Sequence, residues 1–264
     1  MARPPPSDAA LRVDRAPSRA CTLGVVVPTL DEERWIASAL ERVAAGGPRA
    51  PADRADRVVV ADGGSSDRTC EIARAYGAEV VRAPTGRGSQ LAAGAALLDT
   101  ELLLFLHADC IPAEGALAEV RRAFADERLR AAALSQKIEA PGLFYRLVER
   151  AADLRVRWLG VVYGDSSLVV RRAAYLDAGG FPPLALFEDV ELSRRLRRSA
   201  RPRLLPSATV RVSARRWEEE GRSRATLRNW ILALAYFSGA DPERLARHYA
   251  PHSTGLPRRG GPEA

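Results

Sequence analysis

Leu102-Leu103-Leu104-Phe105-Leu106-His107-Ala108-Asp109, a run of five large apolar residues closed by a carboxylate, decides the fold class of this chain. Two earlier runs end the same way. Leu23-Gly24-Val25-Val26-Val27 leads into Pro28-Thr29-Leu30-Asp31-Glu32-Glu33, and Arg57-Val58-Val59-Val60-Ala61 leads into Asp62-Gly63-Gly64-Ser65-Ser66-Asp67. Short apolar runs separated by amphipathic segments indicate parallel strands covered by helices. Ligands of such sheets sit outside the carboxyl ends of the strands. Acids gathered on that edge suit a ligand that carries hydrogen-bond donors and a divalent cation, as a nucleotide does.

Outward from these runs, the spacing of apolar residues predicts helices over 31–45, 67–76 and 87–98, and a short strand over 79–82. Past Pro112 the rhythm becomes mixed. Helices are expected over 114–125, 144–158, 188–198 and 224–237, and strands over 133–139 (antiparallel), 166–170 and 203–212. Gly179-Gly180-Phe181-Pro182-Pro183 is a loop. The reading is one α/β domain over 21–250. Its nucleotide-binding half (21–112) is Rossmann-like, its acceptor half is 113–250, and a mixed central sheet carries helices on both faces. The Pro-, Gly- and Arg-rich ends, 1–20 and 251–264, read as disordered.

The 264 residues are enough for one sizeable core, and 47% hydrophobic with 28% charged residues is ordinary for a soluble protein. Cys21, Cys70 and Cys110 are too far apart for a metal knuckle or a disulfide framework, which points to a reducing cytosol. Neither a signal peptide nor a run of the ~20 apolar residues that span a bilayer is evident. The net charge of +7 comes from arginine, since Lys137 is the sole lysine. These arginines are spread along the chain. A nucleic-acid partner therefore rests on net charge alone, and none is expected.

Several residues suggest chemistry, each beside a plainer reading. Asp62, at a strand end before two glycines, is placed to accept from a base or ribose, whereas Ser66 and Asp67 read as helix-start residues. Asp109 offers a carboxylate to a hard cation on a diphosphate, with His107 a softer ligand or a donor. Glu188 and Asp189 open a helix, where acids also suit the dipole, and Glu191 pairs with Arg195 at i,i+4. Arg87, between two glycines at a helix start, suits phosphate. Arg215, Arg216 and Trp217 offer two cations for a leaving diphosphate and an indole for a sugar face. His248 and His252 read as exposed histidines. A dinucleotide site is rejected, because Pro28-Thr29-Leu30 stands where Gly-x-Gly-x-x-Gly would follow the first strand.

In this order, Val25 to Glu33, Asp62 to Asp67, Asp109, Gly179-Gly180-Phe181 and Glu188-Asp189 resemble the family 2 glycosyltransferases of the GT-A fold, over about 23–216. The resemblance extends to small bacterial members with Leu-His-Ala-Asp and Arg-Arg-Trp-Glu stretches, here 106–109 and 215–218. It implies that Pro28, Thr29, Leu30, Glu32, Asp62 and Gly63 hold base and ribose, with Arg87 and Ala108 along the donor. Asp109 matches the last acid of the Asp-x-Asp motif that holds Mn²⁺ or Mg²⁺, and His107 stands where the first acid is usual. Asp189 matches the general base, with Glu188 beside it, and as a first-turn carboxylate it is expected to stay ionised. Arg215, Arg216 and Trp217 match the basic–aromatic motif near donor and acceptor. Asp31 stands where asparagine is common.

The implied activity is inverting, metal-assisted transfer of a sugar from a nucleotide-sugar, foremost a UDP-sugar, to a hydroxyl of a glycan, lipid or small metabolite. Two alternatives stay open. A sugar nucleotidyltransferase would want a Gly-rich, Arg-containing loop after the first strand. A non-catalytic nucleotide- or glycan-binding relative is kept alive by His107. The expected location is the cytoplasm. The apolar-basic helix 224–237 allows peripheral contact with the inner face of the plasma membrane, although packing in the core is the leading expectation for it.

Overall fold

The first three carboxylate-ended runs fold as parallel strands in the computed structural model, which describes residues 21–44, 50–199 and 201–248, the side chain of Arg216 excepted. The terminal segments 1–20 and 251–264, the Gly46-Gly47-Pro48 helix stop and His252 lie outside the described residues. Strand β1 (Leu23–Thr29) pairs in parallel with β2 (Arg57–Asp62) on one side and with β4 (Leu102–Phe105) on the other. Strand β3 (Glu79–Arg82) continues the parallel half beyond β2. Thr29 stands opposite Asp62, so the acid-bearing loops leave the sheet at one edge.

The second half joins the same sheet with mixed direction. Strand β7 (Leu168–Arg171) is antiparallel to β4, and β6 (Ala131–Ile138) is antiparallel to β7. Strand β8 (Arg203–Val212) runs parallel to β6, and β5 (Cys110–Pro112) closes the far edge antiparallel to β8. The eight-stranded order is β3-β2-β1-β4-β7-β6-β8-β5.

Alternate residues of each central strand feed two apolar clusters. Val25, Val27 and Leu104 pack with Ile36, Leu40 and Val43 of α1 (Ile36–Val43) and Leu117 and Val120 of α4 (Ala116–Ala123). Val26, Leu103 and Phe105 pack on the other face with Leu91 and Ala95 of α3 (Arg87–Ala96) and Leu192 and Leu196 of α7 (Glu188–Leu196). A strand buried on both faces has no polar side to show, which is why these runs lack alternation.

Some boundaries differ from the expectation, for local reasons. Helix α1 starts at Ile36 rather than at 31, because Asp31 takes a left-handed conformation (φ 53°) and binds Ser66. Helix α2 (Thr69–Ala75) starts two residues late, and Ser66 does not cap it. Asp67 instead accepts from the Thr69 backbone at 2.9 Å and from the Glu33 backbone at 3.1 Å. Helix α5 (Leu143–Leu154) continues as one π-helical turn, Arg155–Leu159. Strand β5 and helices α6 (Arg172–Asp177), α8 (Arg215–Glu220) and α10 (Pro242–Ala246) are too short to show a period in sequence. Helix α9 (Arg222–Phe237) completes the set, and no helix of the described residues is long and apolar enough to cross a membrane.

Candidate active site

The site begins where the strand order reverses. Chain order passes outward from β1 to β2 and β3, then returns to β4 on the other side of β1, which opens a crevice at the carboxyl edge. The loops there are clasped together. Asp31 Oδ1 accepts from the Ser66 backbone at 2.8 Å, Glu33 Oε2 accepts from the Arg68 backbone at 3.2 Å, and the Glu32 backbone donates to Thr69 Oγ1 at 2.8 Å. Gln90 Nε2 donates to the carbonyls of Thr29 (2.7 Å) and Ala61 (2.9 Å), tying the ends of β1 and β2 to α3. Asp62 is buried, and its carboxylate accepts from the backbones of Gly64 (3.0 Å) and Ser65 (3.1 Å) and from Ser65 Oγ (2.5 Å). It shapes the Gly turn from within. Thr29 Oγ1 is buried and lacks a hydrogen-bond partner.

Beside this crevice lies a cavity of about 160 Å³, walled by the end of β4, the 163–165 turn, the start of α7, the end of β8, and helices α8 and α9. Residues far apart in sequence meet there: Arg87, His107, Asp109, Glu188, Asp189, Arg215 and Trp217. Arg215 links two of the acid loops. Its Nη2 lies 3.1 Å from Asp109 Oδ2, its Nη1 lies 3.3 Å from Glu32 Oε2, and the guanidinium sits 5.0 Å from the Trp35 ring centroid. Burial works against the Arg215 charge, yet Asp109 and Glu32 outweigh it and raise its pKa. Burial lifts the pKa of Glu32, with Arg215 opposing.

The second group of acids is placed by a strained turn. Phe187 precedes α7 at φ 64°, a conformation that costs a bulky residue about 1–3 kcal/mol, and Glu188 and Asp189 follow it directly. Asp189 accepts from the Gly164 backbone (2.6 Å, Oδ2) and from its neighbour Val190 (2.6 Å, Oδ1). Glu188 is buried; its Oε1 has no hydrogen-bond partner, and the nearest cation is Arg87 Nη1 at 3.8 Å. Burial pushes the Glu188 carboxyl up to about 7, the Asp189 charge pushes the same way, and Arg87 opposes. Burial also raises Asp189, against Arg87 and its two backbone donors. The helix start alone therefore does not set their titration. These two are deep in protein, and desolvation outweighs what the helix start offers.

His107 joins the two groups. A Cβ added at Gly164 would lie 2.2 Å from His107 Nε2, so the imidazole rests on the same backbone that donates to Asp189. Among the described residues, no three His, Cys, Asp or Glu side chains converge on one point. The donor set nonetheless fits a hard cation that draws most of its shell from phosphate and water. Three carboxylates (Asp109, Asp165 and Asp189), with Glu188 pushed up to about 7, face two guanidiniums (Arg87, Arg215) around the cavity, an excess of acid that a divalent ion offsets.

The remaining sequence candidates sit as follows. Pro28, Thr29, Leu30, Asp62 and Gly63 lie at the ends of β1 and β2, outside the cavity wall, and Glu32 reaches it through Arg215. Ala108 has its side chain in the core. Trp217 packs edge-on to Tyr145 and donates to Thr226 Oγ1 at 3.2 Å, so its ring is partly committed to the fold. Arg216's side chain lies outside the described residues, and His248 is exposed, away from the cavity. Sequence reading missed Tyr163, Gly164, Asp165, Leu186, Asn229 and Leu232. Tyr163-Gly164-Asp165 stands just before β7, and nothing local in sequence marks it as a wall of the site. Arg155 stacks 3.7 Å from the Tyr163 ring and holds that turn.

Comparison with known proteins follows the same lines. No curated protein sequence matches the chain. Among solved structures, the mannosyltransferase PcManGT from Pyrobaculum calidifontis, in complex with GDP-Man and Mn²⁺, is similar at TM-score 0.61 and 18% identity, over 89% of this chain and 71% of that one. Glucosyl-3-phosphoglycerate synthase from Mycobacterium tuberculosis, with Mn²⁺, UDP and phosphoglyceric acid, gives 0.55 and 19%, over 83% and 79%. TarS 1–349 of S. aureus, with UDP-GlcNAc, gives 0.57 and 20%, over 73% of this chain and 58% of TarS, so the chain spans less than two thirds of that relative. At these identities the likeness is one of fold. The model of glycosyl transferase family 2 matches residues 24–167, more than half of the chain, and the chain belongs to that family.

Proposed function

We propose that the chain is an inverting glycosyltransferase that moves a sugar from a nucleotide-sugar, foremost a UDP-sugar, to a hydroxyl of a glycan, lipid or small metabolite. The observation that carries this reading is the meeting in one cavity of Asp189, a fixed carboxylate with a raised pKa, and the Arg215–Asp109 pair. One supplies a base, the other a seat for a departing diphosphate.

The chain's own groups account for each step. The β1 loop from Pro28 to Glu32, with the Asp62–Gly63 turn, receives base and ribose. Arg215 and Arg87 neutralise charge on the diphosphate as it leaves. Asp109, with His107, would hold Mn²⁺ or Mg²⁺, and a bound divalent ion supplies further charge stabilisation of the same diphosphate. Asp189 takes the proton of the acceptor hydroxyl as that oxygen attacks the anomeric carbon from the face opposite the diphosphate. A bond from that oxygen to the anomeric carbon forms, the bond from the anomeric carbon to the diphosphate oxygen breaks with its electron pair leaving on the diphosphate, and configuration inverts. Burial, which raises its pKa, makes Asp189 a better proton acceptor than an exposed aspartate. Glu188, pushed up to about 7 and so partly protonated at neutral pH, lessens the negative charge beside it. Trp217 and Arg216 are assigned, on the resemblance, to the basic–aromatic motif near donor and acceptor.

We assign 21–112 to the donor half and 113–250 to the acceptor half. The Leu106–Asp109 and Arg215–Glu218 stretches support a place in the small bacterial subgroup, working in the cytoplasm at or near the inner face of the plasma membrane. Calorimetric titration with UDP, with and without Mn²⁺, tests the reading. The expected result is metal-dependent binding that Asp109→Ala abolishes. Absence of UDP binding in both conditions overturns the UDP assignment and moves the search to GDP and dTDP.

A further inference from the structure

Helix α9 has two apolar sides, and the structure uses one. Ala225 and Leu232 are buried, and Asn229 and Leu232 help wall the cavity. The other side carries Leu227, Trp230, Ile231, Leu234 and Phe237, at i, i+3, i+4, i+7 and i+10. Trp230 is 66% exposed and Leu234 67%. This reverses the usual surface helix, whose outward face is polar. The expectation that the helix packs into the core thus holds for one side only. Contiguous exposed apolar surface of this kind marks a docking site.

The charges around the stripe indicate what docks. Helix α9 holds Arg222, Arg224 and Arg228 and no acid; Arg228 pairs with Glu220 of α8, and Arg222 and Arg224 are its exposed cations. Its N-terminus adjoins α5, where Arg222 lies 5.1 Å from the Tyr145 ring and Trp217 bridges Tyr145 to Thr226. Helix α5 and its π turn repeat the pattern: Leu143, Leu147, Leu154, Trp158 and Leu159 are exposed, among Arg146, Arg150 and Arg157. Trp, Leu and Phe flanked by arginine are the composition of a helix lying in the interface of an anionic bilayer. A second copy of this chain is the rival occupant, which the dimer outcome below tests. The chain's own ends are poor in large apolar residues to match the stripe. Met1, Leu11 and Val13 are the large apolar residues of 1–20, and Tyr249 and Leu256 those of 249–264.

We infer that the outward face of α9, extended by α5, docks this domain on an anionic membrane surface, with α9 lying between the bilayer and the cavity. The docking stands apart from the transfer reaction. Only its use, holding the cavity beside hydroxyl acceptors at a bilayer, rests on the proposed activity.

Cosedimentation of the full chain with vesicles of phosphatidylcholine, with and without phosphatidylglycerol, tests the inference. Binding is expected to vesicles containing phosphatidylglycerol and to weaken about fivefold for each arginine lost, as in Arg224→Gln. Trp230→Ser with Leu234→Ser is expected to lower binding at least about tenfold, with the far-ultraviolet dichroism, the melting temperature and UDP binding unchanged. Trp158→Ser with Leu147→Ser separately tests the α5 extension. Failure to bind phosphatidylglycerol vesicles overturns the inference. So does equal binding to phosphatidylcholine alone, or a stable dimer that Trp230→Ser with Leu234→Ser dissolves. None of these outcomes bears on UDP binding or sugar transfer, so failure of one reading does not mimic failure of the other.

Discussion

Replacing Glu188 by glutamine keeps the shape of a fully buried side chain and removes its ionisation, which makes it the sharpest probe of the buried acid pair. The carboxyl titrates near 7 in the folded chain against an ordinary 4.5. At about 1.4 kcal/mol per pH unit, that gap is worth ~3 kcal/mol. The sign follows from proton binding. A carboxyl with a raised pKa holds its proton more tightly when folded, so its contribution is complete below pH 4.5 and is lost as pH rises to about 7. Glutamine suffers no such loss. Between pH 4.5 and 8, Glu188→Gln should therefore gain ~3 kcal/mol relative to wild type, most of it before pH 7. Urea denaturation of both proteins across that range measures the difference directly. Parallel stability curves would show that Glu188 titrates normally. They would refute the view that burial and Asp189, against a cation no nearer than 3.8 Å, control its proton.

Three further outcomes are expected. Asp189→Asn should lower turnover by about 10²–10⁴ while UDP affinity stays within a few-fold of wild type, since a base acts in the transition state and not in donor binding; a non-catalytic binder would show no turnover to lose. Gly164→Ala puts a Cβ 2.2 Å from His107 Nε2, and thermal melts should register about 1–3 kcal/mol of overpacking, with a loss of activity because the same backbone orients Asp189. His107→Asp restores a second acid two residues from Asp109, and isothermal titration should show tighter Mn²⁺ binding without nucleotide; unchanged affinity would remove His107 from the metal site.

Much of the parallel half is legible in the sequence. The Val and Leu runs at 23–27, 57–61 and 102–106 have one solution, strands buried on both faces, and their carboxylate ends mark the ligand edge. Strand 203–212 was readable to its last residue, and the pairing of Glu191 with Arg195 appears at 2.8 Å. Where sequence and structure part, a side chain has overridden local preference. Asp31 and Asp67 bind neighbouring loops, and this delays α1 and α2.

The chemistry divides along the same line. Sequence alone determined which acids end strands or open helices, because hydrophobic period and turn residues are local properties of the chain. Only the tertiary structure decided what those acids are. Asp62 became the buried pin of a turn, Asp109 and Glu32 became partners of an arginine about a hundred residues or more away, and Glu188 lost the water that would keep it charged. It also brought Tyr163, Gly164 and Asp165 to the cavity, and turned one apolar side of α9 toward solvent. Burial and Coulomb terms depend on what lies within a few ångströms, and neighbours of that kind are set by the fold rather than by adjacency in sequence.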